Sequence, residues 1–379
     1  MTPFLETLPE PLPPPVDLDQ AAGHRPTPLC LHWQEILAQR FSRNPHGLTK
    51  YAEECRRVLR MAERTLLQLA GAEEKDTGLL WCANGTAALN LALRGYPFPR
   101  EDSLLALDAG GHHALTETAR SLARPLFPFL LEDSGRLPET LPESTALAAF
   151  SLVNNETGLL WDGDPSPLPR ECPILLDACQ AFGKHPLPWN SPQVKMMVLS
   201  SRKLGGPATG AALLYRKSLK LKPWLTGGGQ QGGILGGTVD VVNALLFTAA
   251  AQEACQHAQE ALARVAALNR LLREGIQALG KGLWPLFSPP QASPYILYFA
   301  IPGYQGALVA RLLAENHGIL VGTGSACTAE SGETSALLRA RGVPEDLARS
   351  ALRVSLSQES TPQEIQAFLQ ALPRVLQAY

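Results

Sequence analysis

Ile174-Leu175-Leu176-Asp177-Ala178-Cys179-Gln180 and Leu199-Ser200-Ser201-Arg202-Lys203-Leu204-Gly205-Gly206-Pro207 decide how the rest of the chain is read. Each starts in an apolar run and breaks off into polar residues or glycine. Such runs, bounded by Gly, Pro, Asn or Ser, are expected of strands in a parallel sheet whose two faces are both covered. The same texture spans Ile174 to Ala178 and Met196 to Ser201, and recurs at Leu79 to Ala83, Leu104 to Asp108, Leu147 to Asn154 and Ala211 to Tyr215. Thr86 to Arg94 and His113 to Leu122 read as helices between strands, so the pattern predicts an α/β layer fold. Proline-rich connections around Pro138, Pro142, Pro165, Pro167, Pro169 and Pro173 read as surface loops.

From Val241 to Leu279 only Gly275 and no proline interrupts the chain, which predicts one long helix or two in series. Beyond it, Tyr295 to Ala300 and Leu352 to Leu356 read as strands. Tyr304 to His317, Ser335 to Arg341 and Thr361 to Ala378 read as helices, and Leu320 to Gly322 as extended chain. The expected organisation is a proline-rich arm over 1–15, a large α/β domain over 16–250 and a smaller α+β domain over 251–379.

Composition narrows the function classes. Lys+Arg 33 against Asp+Glu 35 leaves a formal net charge of -2, with no basic surplus for a nucleic-acid backbone. No apolar run reaches the ~18 residues of a spanning helix. The arm holds six prolines and no Lys or Arg, which argues against a secretory or transit peptide. A soluble, cytoplasmic protein without nucleic-acid or membrane partners is expected. Cys30, Cys55, Cys82, Cys172, Cys179, Cys255 and Cys327 never form C-x-x-C, so neither a disulfide framework nor a metal site is expected.

Lys203 follows a strand at the carboxyl edge of the expected sheet, where ligands sit in open α/β folds. It could form a Schiff base with an aldehyde cofactor, although by itself it reads more readily as a solvated loop lysine. Asp177 ends the preceding strand. A carboxylate there can keep a pyridine nitrogen protonated, and it can equally cap a turn. Asn154-Asn155-Glu156 ends the strand before that. Asn84-Gly85-Thr86 opens a helix whose N-terminus suits a phosphate, or is an ordinary cap. Gly227 to Gly237 has seven glycines in eleven positions and leads into Thr238. It lacks the Gly-Lys-Ser/Thr ending of a nucleotide loop, and reads as a phosphate seat or a flexible linker. Cys327 lies in the small polar run Gly322-Thr323-Gly324-Ser325-Ala326-Cys327-Thr328, a setting that suits a reactive thiol or an incidental one.

Taken together and in order, these segments resemble the cysteine desulfurases of the NifS/IscS type. Those are pyridoxal-phosphate (PLP) enzymes of the class V aminotransferase superfamily, fold type I. The likeness begins at Val16-Asp17-Leu18-Asp19-Gln20-Ala21-Ala22. It continues through Phe41-Ser42-Arg43-Asn44-Pro45, Asn84-Gly85-Thr86, Gly111-His112-His113-Ala114, Asn154-Asn155-Glu156, Asp177-Ala178-Cys179-Gln180 and Lys203. It ends with Gly227-Gly228-Gly229, Gly237-Thr238, Gly324-Ser325-Ala326-Cys327-Thr328 and Leu352-Arg353-Val354-Ser355-Leu356.

The resemblance implies a large, mixed, mostly parallel sheet that binds PLP and a small C-terminal domain that carries the reactive cysteine. It implies that Lys203 anchors the cofactor and moves the Cα proton, that Asp177 pairs with the ring nitrogen, and that His112 stacks on the ring. Gln180 and Asn155 would bond the ring hydroxyl or the substrate. Gly85, Thr86, Ser200 and Arg202 would hold the phosphate, with Thr238 arriving from the second subunit of a homodimer. Arg353 would clamp the substrate carboxylate, a task that suits its planar fork. Cys327 would take sulfur from L-cysteine as a persulfide, leave L-alanine, and pass the sulfur to an acceptor protein such as an iron–sulfur scaffold.

The chain departs from the family's pattern in places. Arg202 stands where the family has His. The glycine-rich loop has Gln230-Gln231-Gly232-Gly233-Ile234-Leu235 and no charge. The Asn-Ala-Ala-Thr-Thr turn has become Gln20-Ala21-Ala22-Gly23-His24. Two other readings compete: a PLP-dependent cysteine or cystine C–S lyase (or a selenocysteine lyase), and a catalytically degenerate homologue acting as a binding subunit.

Overall fold

The computed structural model describes residues 12–139, 141–280, 282–323 and 334–379. Cys327, the reactive thiol of the resemblance, and 1–11 of the arm lie outside them.

In chain order the elements are β1 (Val16–Asp17), α1 (Pro28–Phe41), α2 (Lys50–Leu69), β2 (Thr77–Cys82), α3 (Gly85–Gly95), β3 (Leu104–Asp108), α4 (His113–Arg120), β4 (Leu126–Phe129), β5 (Thr145–Ser151), β6 (Ile174–Asp177), β7 (Val194–Ser200) and β8 (Ala211–Arg216). Then come α5 (Val241–Gln256), α6 (Ala258–Gly280), β9 (Ile296–Ala300), α7 (Gly306–His317), β10 (Ile319–Leu320), α8 (Ala336–Ala340), α9 (Glu345–Arg349), β11 (Ala351–Ser355) and α10 (Pro362–Ala378).

Seven strands form one sheet in the order β2-β8-β7-β6-β5-β3-β4. Pairings from β7 through β4 are parallel, and β8 runs antiparallel to both β7 and β2. The expected α/β architecture is therefore the observed one. The central strands read as unbroken apolar runs because both faces are covered: β6 is buried throughout, with Leu176 in one core and Leu175 in the other. Strand texture does not reveal β4. It is an edge strand containing Pro128, a position where the missing N–H need not interrupt a ladder. Helices α1 and α2 precede β2. α2 turns Ala52, Cys55, Ala62, Leu66 and Leu67 inward and its charges outward, an amphipathic period that the sequence itself carries.

The stretch expected as one or two helices is two, parted at His257. α5 buries Leu246, Phe247, Ala250 and Ala254 in the core beneath the large sheet. α6 turns Val265, Leu268, Leu272 and Ile276 into a separate core with β9, β11 and α10. That second core also takes in Leu18 and Ala21. β1 pairs parallel with β10, and Asp19 bridges Ser355. The segment opening the expected large domain thus packs with the C-terminal elements, because its apolar side chains find their partners there.

Candidate active site

β5, β6 and β7 run parallel, so their carboxyl ends meet at one edge of the sheet, and Ser151 stands beside Asp177 in register. The chain leaves that edge three times. After β5, the Asn154 amide organises a turn: Oδ1 accepts from the N–H groups of Glu156 and Thr157, each at 2.9 Å, while Nδ2 donates to Gly110 O at 2.8 Å. After β6, Asp177 accepts the Cys179 N–H at 3.0 Å. After β7, a short 3-10 turn over Ser201–Lys203 swings the lysine back across the edge. A fourth wall is the start of α3, where Asn84 Oδ1 caps Ala87 N at 2.9 Å. The first-turn N–H groups of a helix have no partner within it, and Gly85 and Thr86 line the same space.

These walls enclose a cavity of about 540 Å³. It brings together Gly85, Thr86, His112, Asn155, Asp177, Gln180, Ser200, Arg202, Lys203 and Arg353, residues drawn from ends of the chain far apart in sequence. Thr238 is the exception among the described candidates. It lines a separate cavity of about 440 Å³ with the glycine-rich loop, and Thr209 is shared by both. That loop is no slack linker: Gln231 accepts the Trp81 N–H at 2.6 Å and donates to Trp81 O at 3.1 Å, pairing with edge strand β2 as a backbone would.

Burial sets the electrostatics. It pushes the Lys203 amine down to about 8, despite an opposing pull from Cys179, so near that pH a good part of it is the nucleophilic free base. The amine donates to Ala21 O at 2.7 Å and Ala22 O at 2.8 Å. Burial also lowers His112, against the nearby Asp177 carboxylate. His112 caps α4, and its Nδ1 accepts the Ala114 N–H at 3.0 Å. That bond fixes the neutral tautomer with the proton on Nε2.

Gln180 and Asn155 line the cavity and are tied to its other walls. Gln180 Nε2 donates to Ala21 O at 2.9 Å. Asn155 contributes its main-chain carbonyl, which accepts from Arg353 Nη1 at 2.9 Å. Cys179, Glu156 and Asp19, which the quoted motifs contain without an assigned role, also matter here. Cys179 lines the cavity, its thiol raised well above the usual value chiefly by burial. Glu156 is buried, is pushed up to about 7 by that burial, and accepts the Ser335 hydroxyl. Asp19 pairs with Arg353 Nη2 at 2.7 Å. Asp19 and Glu156 sit inside the quoted motifs, but nothing local signals their distant partners.

Could this cavity hold PLP? Asp177, only 7% exposed, ends a strand at its floor, and an uncommitted helix start stands opposite. At Gly85 a Cβ would come within 3.1 Å of Cys179 Sγ, so the absence of a side chain keeps that corner open. An amine, a buried carboxylate, an anion-binding helix start and a neutral imidazole are the donor set that PLP requires, and the residues fit. Among the described residues no group of His, Cys, Asp and Glu could hold a metal.

Residues 18–368 match the aminotransferase class-V model. This chain belongs to that family. Its relatives include an IscS-like cysteine desulfurase of Mycobacterium tuberculosis, 30% identical over 94% of this chain and 95% of that protein. A cysteine desulfurase of Cereibacter sphaeroides is also 30% identical, over 95% of each chain. The fold is that of a NifS-like protein from Rickettsia africae, with TM-score 0.85 and 20% identity over 96% of this chain and 99% of that one. The likeness that the motifs suggested is thus a family relationship along nearly the whole class-V chain.

Arg202, one of the departures from the family's pattern, packs against another. An added Cβ at Gly23 would stand 2.4 Å from Arg202 Nε, so the guanidinium occupies the room that a side chain at 23 would take. Two departures seen separately in the sequence are one packing arrangement.

Proposed function

We propose that the chain is a PLP-dependent cysteine desulfurase, converting L-cysteine to L-alanine with the sulfur held as a persulfide on Cys327. The observation that carries it is convergence: Lys203, Asp177, His112 and Arg353 line one cavity in a class-V chain whose full-length relatives are named for this activity. When bound, PLP supplies an electron sink for the substrate Cα.

The chain's own residues do the rest. Thr86, Ser200 and Arg202 bind the phosphate with the N–H groups of α3. Asp177 holds the ring nitrogen protonated, and the neutral His112 ring covers a ring face. Arg353 would take the substrate carboxylate, and the Lys203 amine would carry the Cα proton. Cys327, as thiolate, would attack the substrate Sγ: an S–S bond forms, the Cβ–Sγ bond breaks with its electron pair left on the carbon skeleton, and Cβ takes a proton to become the methyl of L-alanine. The sulfur then passes to an acceptor protein, an iron–sulfur scaffold or another sulfur carrier.

The working unit is a homodimer of the cytoplasm, built from a PLP-binding large domain and a small domain bearing Cys327. Thr238 lies outside the Lys203 cavity of its own chain, which suits a residue delivered to the partner's site. Among the described residues no helix is long and apolar enough to cross a membrane.

Product analysis tests the reading. PLP-loaded wild type and Cys327→Ala are incubated with L-cysteine and a reductant, and alanine, pyruvate and sulfide are measured. Alanine from wild type and little from the variant is expected. Pyruvate from both would make the protein a C–S lyase with Cys327 a bystander. A chain that takes up no PLP would be a binding subunit.

A further inference from the structure

Asp19, Gln20, Ala21 and Ala22 form a strap whose last two residues line the cavity. Its start is tied to the strand that carries Arg353. Ser355 N donates to Leu18 O at 2.7 Å, Gln20 N to Ser355 O at 3.4 Å, and Ala21 N to Ser355 Oγ at 2.9 Å. The Asp19 carboxylate accepts from Arg353 Nη2 at 2.7 Å. Its end holds the lysine: Ala21 O accepts from Lys203 Nζ and from Gln180 Nε2, and Ala22 O accepts from Lys203 Nζ again. Four consecutive residues therefore touch both the amine and the guanidinium.

Arg353 is 3% exposed, and a buried guanidinium needs a compensating carboxylate. Asp19 is the acidic side chain paired with it among the described residues. Nη1 is taken by Asn155 O, which leaves the fork held from two sides while still lining the cavity. Room for this arrangement comes from Gly322, where a Cβ would fall 2.6 Å from Asp19 Oδ1 and 2.8 Å from Arg353 Nη2.

We propose that Asp19 is a positioning residue that orients the Arg353 fork, and that the strap sets the spacing between the lysine and that fork, selecting α-amino acids by the separation of their amine and carboxylate. This rests on the functional reading above, in which Arg353 receives the substrate carboxylate. The strap acts on ligands that present both groups. An amine without a carboxylate meets only its lysine end.

Asp19→Asn keeps the shape and one acceptor oxygen and removes the charge. Holoenzyme of wild type and variant is titrated with L-alanine and, separately, with ethylamine, following cofactor absorbance, with thermal unfolding recorded alongside. The Kd for L-alanine should rise about tenfold, the loss of one charge-assisted hydrogen bond at the fork, with ethylamine within about twofold of wild type. If Asp19→Asn does not fold, Asp19→Glu, which keeps the charge but shifts the fork by a methylene, should show the same carboxylate-selective loss. Equal weakening of both ligands would reduce Asp19 to a structural role and overturn the proposal. Unchanged or tighter L-alanine binding would overturn it too. A wild type blind to L-alanine would sink the functional reading and the strap with it, whereas a responsive wild type with an unselective variant sinks the strap alone.

Discussion

At Gly23 an added Cβ would lie 2.4 Å from Nε, 2.9 Å from Nη2 and 3.0 Å from Cζ of Arg202, all atoms at the far end of a flexible side chain. A substitution there displaces the guanidinium and leaves the backbone alone. Where the family's pattern has a threonine in this turn and a histidine before the lysine, this chain has the small residue and the long cation together. Gly23→Thr should therefore fold normally but hold PLP about tenfold more weakly, a loss of one charged phosphate contact. Adding Arg202→His, which vacates the space, should restore much of the affinity. Absorbance titration of the apoprotein with PLP measures both. A double variant as weak as the single one would show that the two positions are not a pair.

Among the elements, α3 is the one whose capping and function compete. Asn84 satisfies one N–H of the first turn, and Gly85 and Thr86 line the cavity. Asn84→Ala should cost about 1 kcal/mol of unfolding free energy, the usual worth of an N-cap. Asn84→Asp should be as stable as wild type or more so, because a carboxylate suits the positive end of the helix. Yet it sets a negative charge beside the phosphate seat, so PLP should dissociate faster. Urea unfolding and the rate of PLP release separate the two effects. If Asn84→Asp keeps its cofactor as well as wild type does, the phosphate does not sit at this helix. Elsewhere the element boundaries shift by a few residues: the strand read as Leu147 to Asn154 is Thr145–Ser151, because Asn154 spends its side chain on a turn.

For the whole molecule, the exposed apolar surface argues for a partner. α1 and α2 leave Leu31, Trp33, Ile36, Tyr51 and Met61 exposed, and Trp224 and Leu225 stand out beside the glycine-rich loop. In the proposed homodimer these are the side chains a second chain would cover. Sedimentation should show a species of two chains of 40.8 kDa. The double substitution Trp33→Glu and Ile36→Glu should shift it toward single chains and weaken PLP retention in parallel, as the proposed delivery of Thr238 to the partner's site requires. A wild type that sediments as one chain at micromolar concentration, fully loaded with PLP, would refute the shared site.

Lys203, Asp177, the helix start at Gly85 and the α/β alternation were legible in the sequence, because each follows a continuous buried strand and such strands announce themselves by local apolarity. Arg353 was legible only through the order of motifs, and Thr238's separate cavity was invisible. The antiparallel course of β8, the passage of residues 16–21 into the second core, and the edge pairing of Gln231 with β2 leave no local periodicity to read. The same holds for the Asp19–Arg353 pair, whose partners stand 334 residues apart, and for the fit of Arg202 against Gly23. A strand's burial is decided by its own few residues, whereas a contact between distant segments exists only once the sheet and both cores have brought them together.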